Sequence, residues 1–349
     1  MTQNVCFLIS DLEKSGGTQR ILTLLCNLLA DHYNVYIIIT HEGEPFFTLD
    51  NRVNIISLPS MRFSHLQRSW DIYNILKKFN IDVYVNLDSN SILFYSLLLP
   101  KNTKLVLWEH FSLANNSNKP HFIASRHYAT LRCSSLVLIS KYEISEWSKY
   151  NPLAERKSKL IYNPLSIDES KIDTSNKYQM KSFLAIGNNI DVKGFDILVK
   201  IWHRIKEPSL LRIIGLEEDQ IVFLQNIIDQ TNIKNIELYG RVKNISNYYS
   251  TSSVLLLPSR KEATPLVLIE SQAYGIPAIV FNHLPGVLEL INKSATIVDY
   301  DESGESFLDA INTINENEDL YTTLHLNAIE NAQRFKIKEF RDQWIRVLS

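Results

Sequence analysis

The chain has 349 residues, of which 45% are hydrophobic and 21% charged, as is typical of two globular domains rather than of a disordered or fibrous protein. Its net charge of −2 argues against nucleic acid as the main partner. Residues 1–165 carry 17 Lys/Arg and 13 Asp/Glu, so this mildly basic half is compatible with peripheral contact to an anionic membrane.

The cysteines and the apolar segments indicate a cytoplasmic location. Cys6, Cys26 and Cys133 lack the spacing of a metal site or a CxxC motif, so we expect reduced core thiols. The chain opens directly into a predicted strand, without a signal-peptide pattern. The most apolar segment, residues 91–99, is about half as long as a membrane span. Any membrane contact is therefore expected to be peripheral, at the inner face of the plasma membrane.

Short β-branched runs alternate with helical patterns in the first half, which predicts a parallel sheet with crossover helices. The predicted strands are residues 5–10, 35–40, 53–58, 82–87, 104–108, 136–140 and 159–162, and predicted helices include residues 18–30, 67–79, 89–98 and 142–149. Residues 165–179 are polar and aperiodic, which predicts a domain boundary there.

Two loops of the first half follow predicted strands, at the sheet edge where open α/β sheets bind ligands. Gly16 and Gly17 follow the first strand and let a ligand approach the backbone, although such a pair is more often a simple turn. The loop is not a GxGxxG, so a dinucleotide fingerprint is not indicated. Glu109 and His110 end the strand that starts at Lys104, although a lone histidine is more often structural or exposed.

The second half repeats the pattern, with strands predicted at residues 183–186, 210–214, 236–239 and 254–257. After the last of these, Thr264 is predicted to cap a helix of about ten residues whose first position is Pro265. Gly275 is predicted to end that helix in a left-handed conformation. Glu262 then lies in the loop, whereas Glu270 lies on an apolar helix face.

A carboxylate on an apolar face is costly unless it is paired, so Glu270 is a candidate functional residue. The unpaired N–H groups near Pro265 and Leu266 suit diphosphate oxygens, and the two carboxylates suit sugar hydroxyls. A solvated loop glutamate and a satisfied core glutamate explain the same pattern equally well.

The segment from Pro258 to Pro277 resembles the E-x7-E region of retaining, GT-B-fold glycosyltransferases of family 4, which include many bacterial polysaccharide and lipopolysaccharide transferases. Glu262 and Glu270 match the two acids, whereas Ala263 replaces the usual glycine. The resemblance implies an α/β fold with two Rossmann-like domains whose parallel sheets face each other across a cleft. The implied domains are residues 1–165 for the acceptor, residues 166–334 for the donor, and a closing helix, residues 335–349, that returns to the first domain.

Three further segments are similar to elements of this family. Gly16, Gly17 and Arg20 match its GG-x-x-R pattern, and the Trp-Glu-His segment ending at His110 matches its WEH segment. Lys193-Gly194 matches the end of its GR-x4-KG element. Asn188 departs from that element, because the family has an arginine there that grips the donor diphosphate.

The resemblance implies a role for each matching position. Glu262 and His110 would be the catalytic residues, with Glu109 beside them. The donor-binding residues would be Gly16, Gly17, Asn188, Lys193, Arg241, Ala263, Thr264, Pro265, Leu266 and Glu270, with Glu270 on the ribose and Arg241 near the base. Arg260 or Lys261, next to Glu262, is a candidate to compensate for the arginine that Asn188 replaces, and we expect Arg260 to do so, although two solvated side chains explain the same pattern.

The predicted function is therefore retaining transfer of a hexose or N-acetylhexosamine from a nucleotide diphosphate sugar, with uridine favoured by family frequency. The acceptor would be a glycan or lipid-linked saccharide of bacterial surface polysaccharide synthesis, and no cofactor or metal is expected. Asp299-Tyr300-Asp301 formally matches a DxD metal motif, but short matches arise easily by chance. Two alternatives remain: a nucleotide-sugar-binding partner subunit of low activity, and a non-hydrolysing nucleotide-sugar epimerase on the same fold.

Overall fold

The computed structural model describes residues 2–58, 65–113, 119–206, 208–231, 233–242 and 244–349, with the backbone alone for His65. The chain divides into two compact units. The first unit comprises Met1–Ser166 and Ile337–Ser349, and the second unit comprises Ile167–Lys336. Within the described part of the chain, no helix is long and apolar enough to cross a membrane.

The first unit is built on a parallel sheet with helices between its strands. Its described strands are β1 (Asn4–Ile9), β2 (Asn34–Ile39), β3 (Asn54–Ser57), β4 (Val83–Asn86), β5 (Lys104–Glu109), β6 (Ser135–Leu138) and β7 (Ser158–Leu160). Its described helices are α1 (Gly17–Leu29), α2 (His65–Lys78), α3 (Ile92–Ser96), α4 (Pro120–Arg132), α5 (Lys141–Tyr150), α6 (Leu153–Lys157) and the C-terminal helix Ile337–Leu348.

The strand order β3-β2-β1-β4-β5-β6-β7 reverses between β1 and β4, which pair directly with each other. Strands β1 and β4 are buried almost throughout, as expected when helices cover both faces of a parallel sheet. The loops after these two strands open beside each other at the switch point, where α/β sheets bind ligands.

The second unit repeats this architecture. Its strands are β8 (Ser182–Ile186), β9 (Leu210–Ile214), β10 (Ile236–Tyr239), β11 (Val254–Leu257), β12 (Ala278–Phe281) and β13 (Ala295–Val298). Its helices are α7 (Ile190–Lys193), α8 (Phe195–Ile201), α9 (Glu218–Thr231), α10 (Ser246–Ser250), α11 (Leu266–Ala273), α12 (Pro285–Ile291), α13 (Glu305–Glu316) and α14 (Glu318–Ala332), and we number the C-terminal helix α15.

The sheet order β10-β9-β8-β11-β12-β13 reverses between β8 and β11, which are paired. A single hydrophobic cluster extends from Phe183 on β8 to Phe281 on β12 and Phe307 on α13. The predicted fold class, two α/β domains with parallel sheets, is confirmed.

Several local predictions differ from the structure. The helix predicted at residues 89–98 is only the five-residue α3, and α4 was not predicted from the sequence. Helix α4, whose sequence is PHFIASRHYATLR, does not gather its apolar residues into one clear helical stripe. The three cysteines are buried and free, as predicted.

Candidate functional site

The pairing of β8 with β11 places two predicted site residues close together. Lys193 is the last residue of α7, the short helix after β8, and Glu262 lies in the loop that leads from β11 to α11. Because the two strands are neighbours and parallel, the segments after them meet at the same edge of the sheet. The Nζ of Lys193 forms an ion pair with Oε1 of Glu262.

Two glycines make room for Lys193. A Cβ on Gly187 would lie 2.6 Å from Cγ of Lys193, so the lysine side chain crosses directly over the end of β8. Gly194 has φ +68°, and a Cβ there would lie 2.1 Å from the carbonyl oxygen of Pro258. Glycine at position 194 therefore permits both the left-handed backbone and the close approach of the β11–α11 loop.

Ser259 also holds Glu262. This serine is fully buried, and its Oγ donates a hydrogen bond of 3.0 Å to Oε1 of Glu262. The side chains of Lys193 and Glu262 are 17% and 11% exposed to solvent. Both remain within reach of a ligand, while the serine fixes the orientation of the carboxylate.

Helix α11 starts one residue later than predicted. Pro265 has ψ 124° and is the N-cap rather than the first helical residue, so the prediction of Thr264 as N-cap is wrong. The proline side chain offers no hydrogen bond to the helix start. Because the first turn of an α-helix has N–H groups without intrahelical partners, the backbone from Leu266 onward suits an anionic ligand.

The C-terminus of α11 and the loop before it are tightly held. Gly275 has φ +66°, and Ile276 N donates to Ser271 O at 2.9 Å, so the predicted left-handed ending is confirmed. In the loop before α11, the carbonyl oxygen of Ala263 would lie 2.0 Å from a Cβ placed on Gly286 of α12. The backbone at Ala263 is therefore packed against the start of α12.

Glu270 lies in the buried part of α11 and is 2% exposed. The hydroxyl of Tyr249 on α10 donates a hydrogen bond of 2.8 Å to its Oε2. The Tyr249 ring is fully buried and stacks on Tyr274, with ring centroids 5.3 Å apart. The buried carboxylate thus has the partner that its position requires, and sequence reasoning did not identify Tyr249 as that partner.

Arg260 forms ion pairs within the protein. Its guanidinium binds Asp196 of α8 at 2.9 Å and Glu302 at 2.8 Å, and it also donates to the carbonyl oxygen of Asp191. Hydrogen bonds from Arg260, followed by one from Tyr300, lower the pKa of Glu302 to about 2. Asp196 and Glu302 both bind the Arg260 guanidinium, whereas the sequence predicted that Arg260 would contact the donor diphosphate.

Asn188 and Arg241 lie toward solvent. The Asn188 side chain is exposed, and its backbone oxygen accepts a hydrogen bond of 3.1 Å from Gln220. The neighbouring Asn189 caps α7 by accepting from Val192 N at 2.9 Å. Arg241 forms an exposed ion pair with Glu217.

Glu109 and His110 end β5 in the first unit and are 2% and 8% exposed. The Glu109 carboxylate accepts from the backbone N–H groups of Ser89, His110 and Phe111 at 3.3, 3.1 and 3.0 Å. Burial, followed by the charge of Asp88, raises the pKa of Glu109 above its usual range. Burial lowers the pKa of His110 to about 3, so its imidazole is neutral near pH 7.

The Gly16-Gly17 pair forms the start of α1, one residue earlier than predicted. Gly16 is the N-cap, and its carbonyl accepts from Arg20 N at 3.1 Å. A Cβ on Gly16 would lie 2.5 Å from Oε1 of Gln19, which is the end of a flexible side chain and can move aside. The Arg20 guanidinium reaches the carbonyl oxygen of Ser166 at 2.8 Å, so this side chain supports the end of the first unit's main segment.

The DxD match has structural roles. Asp299 accepts a hydrogen bond of 2.6 Å from Asn282, while Asp301 accepts from Gly304 N and Ser306 N at the start of α13. Across the described ranges, no group of three or more His, Cys, Asp or Glu side chains is placed to hold a metal ion.

Comparison with known proteins identifies the two halves of the chain. Residues 15–169 match the model "Glycosyltransferase Family 4", and residues 167–335 match "Glycosyl transferases group 1". The amylovoran biosynthesis glycosyltransferase AmsD of Erwinia amylovora is 26% identical, covering 98% of this chain and 98% of its own length. The GalNAc-alpha-(1->4)-GalNAc-alpha-(1->3)-diNAcBac-PP-undecaprenol alpha-1,4-N-acetyl-D-galactosaminyltransferase of Campylobacter jejuni is also 26% identical, over 99% and 98% of the two chains.

A solved structure shares the fold over nearly all of the chain. Anabaena HepE, crystallised in complex with UDP, superposes with a TM-score of 0.82 at 18% identity, covering 99% of each chain. A second crystal structure of HepE contains UDP-glucose and has a TM-score of 0.79.

Proposed function

We propose that this chain, a glycosyltransferase of the GT-B fold that acts in bacterial polysaccharide or lipopolysaccharide synthesis, moves a hexose or N-acetylhexosamine from a UDP-sugar to an acceptor hydroxyl. The acceptor would be a glycan or a lipid-linked saccharide. One observation carries the proposal: Lys193 and Glu262 are paired beside the N-terminus of α11. This arrangement combines a cation, a helix start and a carboxylate, which together suit a diphosphate attached to a sugar.

The diphosphate would occupy the positively polarised start of α11 and contact Lys193. A lysine ammonium and backbone N–H groups form charge-assisted hydrogen bonds with phosphate oxygens. Glu262 would then exchange its contact with Lys193 for a hydroxyl of the donor sugar, while Ser259 keeps its carboxylate in place. Ala263, Thr264 and Pro265 would bring the backbone close to the phosphates, and the exposed Asn188 and Arg241 would lie at the periphery of this site.

The reaction we propose retains the anomeric configuration. The bond between C1 of the donor sugar and the diphosphate oxygen breaks, and the acceptor oxygen attacks C1 from the same face. The proton of the acceptor hydroxyl passes to the departing diphosphate, so no protein nucleophile is required. Stabilising the negative charge on the leaving diphosphate is then the main catalytic task. For this purpose Lys193 and the first N–H groups of α11 are suitable.

Glu270 would bind the donor nucleotide while Tyr249 holds its carboxylate in place. The hydrogen bond from Tyr249 holds one carboxylate oxygen inside α11. We propose that the ribose reaches the other edge of this carboxylate. The roles of Gly16, Gly17 and His110 stay predictions, as does the compensation by Arg260, which its ion pairs with Asp196 and Glu302 disfavour.

Support for UDP as the leaving group comes from HepE, whose crystal structures contain UDP and UDP-glucose. A lipid-linked acceptor is supported by the Campylobacter jejuni relative, whose name specifies an undecaprenol-diphosphate-linked glycan. The basic first half supports peripheral contact with an anionic membrane. Buried free thiols support action in the cytoplasm.

Release of UDP from radiolabelled UDP-sugars, with and without a saccharide acceptor, tests the proposal. Transfer that requires the acceptor and is lost in Glu262→Ala supports it. Binding of UDP without turnover of any donor would favour the partner-subunit alternative, which the exposed Asn188 motivates. An epimer or free sugar formed equally well without acceptor would favour the epimerase.

A further inference from the structure

The first unit contains a cavity that the proposed donor site does not use. Its volume is 530 Å³, and its lining residues are Asp88, Asn90, Ser91, Phe94, Tyr95, His121 and Phe122. This size lies within the range of roughly 300–1,000 Å³ that small-molecule sites occupy. The cavity is large enough for one or two sugar rings.

The position of the cavity follows from the sheet. Asp88 to Ser91 continue from the carboxyl end of β4, the strand at the switch point of the first sheet. Phe94 and Tyr95 belong to α3, and His121 and Phe122 to the first turn of α4. A hydrogen bond of 3.1 Å from Ser125 of α4 to the carbonyl of Asn90 joins two walls of the cavity. The cavity therefore lies at the edge where such sheets bind ligands.

Its lining combines aromatic faces with hydrogen-bond acceptors. Phe122 and His121 form an edge-to-face pair with ring centroids 4.2 Å apart, and Tyr95 is held by a hydrogen bond of 2.9 Å from Arg68. Oδ1 of Asn90 is buried and has no hydrogen-bond partner. Such an atom calls for a donor from a ligand, and a sugar hydroxyl supplies one. The aromatic rings offer flat apolar surfaces for the C–H faces of a pyranose.

The charges around the cavity select against anions. Of its seven described lining residues, Asp88 is a carboxylate and none is Arg or Lys. Behind Asp88 lie the buried carboxyls of Glu109 and Glu143. Burial raises the pKa of Asp88 and of Glu143, and the charge of the buried Arg126 opposes that rise. Even with one proton shared between Asp88 and Glu109, these four groups carry a net charge of about −1. Arg68 reaches the cavity wall only through the Tyr95 hydroxyl, so an anionic ring would meet this negative charge with no Arg or Lys among the described lining residues.

We infer that this cavity binds the terminal sugar of the acceptor, and that it accepts neutral pyranose rings while rejecting uronic acids and phosphorylated sugars. The inference rests on the proposed function, because it names the acceptor class of the same transferase. Asp88 and Asn90 accept hydrogen bonds from ring hydroxyls, and Phe122 packs against the ring face. Asp88 is the specificity-determining residue, since its charge lies closest to the ligand.

Saturation-transfer NMR on the full chain tests this inference, at pH 8, above the usual titration range of histidine. The probes are the methyl glycosides of glucose, galactose, N-acetylglucosamine and N-acetylgalactosamine, with glucuronate and galacturonate as charged counterparts. We expect at least one neutral glycoside to bind, and its affinity to fall roughly tenfold in Phe122→Ala. Leu131→Ala, which alters an exposed position of the same helix α4, is the matched control and should bind like the wild type.

A second variant, at Asp88, tests the charge preference. Uronates are expected to bind the wild type roughly tenfold more weakly than their neutral counterparts, and Asp88→Asn should narrow that ratio. Equal binding of uronates and neutral sugars, no binding of any glycoside, or unchanged binding in Phe122→Ala would overturn the inference. UDP affinity of the wild type is measured by calorimetry on the same samples. If the wild type does not bind UDP, the result counts against the proposed function. If it binds UDP but no glycoside, only this inference is overturned.

Discussion

Lys193 and Glu262 lie 69 residues apart in sequence, and their side chains form an ion pair at the end of two neighbouring parallel strands. Neither side chain is fully buried, so a ligand can reach both. The pair is largely buried, and the cost of removing two charges from water offsets much of their attraction, so it contributes little net stability. The pair is therefore better explained by ligand binding than by folding, and its two members are expected to affect donor binding in opposite directions.

Replacing Lys193 by Met should weaken UDP binding. The substitution removes a charge-assisted hydrogen bond worth about 1.5–3 kcal/mol, so the dissociation constant should rise roughly 10- to 100-fold. Isothermal calorimetry measures this directly. Lys234→Met, at an exposed lysine before β10, is the control and should bind UDP like the wild type. Equal UDP affinities of Lys193→Met and wild type would remove Lys193 from the donor site.

Replacing Glu262 by Gln should have the reverse effect on binding and a strong effect on transfer. Because Gln carries no charge, Lys193 is freed for the diphosphate, and UDP affinity should stay the same or improve. Loss of the carboxylate contact to the donor sugar should lower kcat/KM roughly 10- to 100-fold. Initial rates with a UDP-sugar and acceptor provide the measurement. Glu316→Gln, which alters an exposed ion pair with Lys206, is the control and should leave both quantities unchanged. A Glu262→Gln variant as active as the wild type would contradict the role of Glu262.

Local sequence patterns were sufficient to predict most of the strands, the loop position of Glu262 and the glycine that ends α11. These features depend on residues within a few positions of each other, such as the apolar run of β11 and the left-handed Gly275. The partners of charged side chains could not be predicted in the same way. Arg260 binds Asp196 and Glu302, which are 64 and 42 residues away, and nothing in the local pattern indicates those contacts.

The same distinction applies to the candidate site. The apolar helix face around Glu270 correctly indicated a carboxylate that needs a partner, but Tyr249 lies 21 residues earlier on a different helix. The start of α11 was misplaced by one residue because proline usually occupies the first helical position, whereas Pro265 is the N-cap. Only the backbone angle of Pro265, ψ 124°, distinguishes the two.

The buried hydrogen bond between Tyr249 and Glu270 should contribute measurably to stability. Tyr249→Phe keeps the ring stack with Tyr274 but removes the donor to a buried carboxylate, at a cost of about 1–3 kcal/mol. Urea unfolding followed by tryptophan fluorescence measures the difference. Tyr239→Phe removes a similar hydrogen bond, 2.8 Å long, to the half-exposed Glu237 and should cost less than about 0.5 kcal/mol. Equal costs for the two substitutions would show that the Glu270 carboxylate does not depend on Tyr249.

His110 should make the stability of the first unit fall as the pH decreases. Burial lowers its pKa to about 3 from the usual 6.5, so the unfolded chain binds more protons than the folded chain between these values. Stability from this residue is fully present above pH 6.5 and is lost as the pH falls toward 3, by up to about 1.4 kcal/mol per pH unit.

Replacing His110 by Asn should flatten this dependence between pH 6.5 and 5. Urea unfolding of wild type and variant at several pH values gives the two slopes, and their difference isolates His110 from the opposing effect of Glu109. Burial raises the pKa of Glu109, so that residue makes stability fall as the pH rises and acts in both proteins alike. His32→Asn, at an exposed histidine, is the control and should keep the wild-type slope. Identical slopes for His110→Asn and wild type would mean that His110 gains its proton in the folded chain as readily as in the unfolded one.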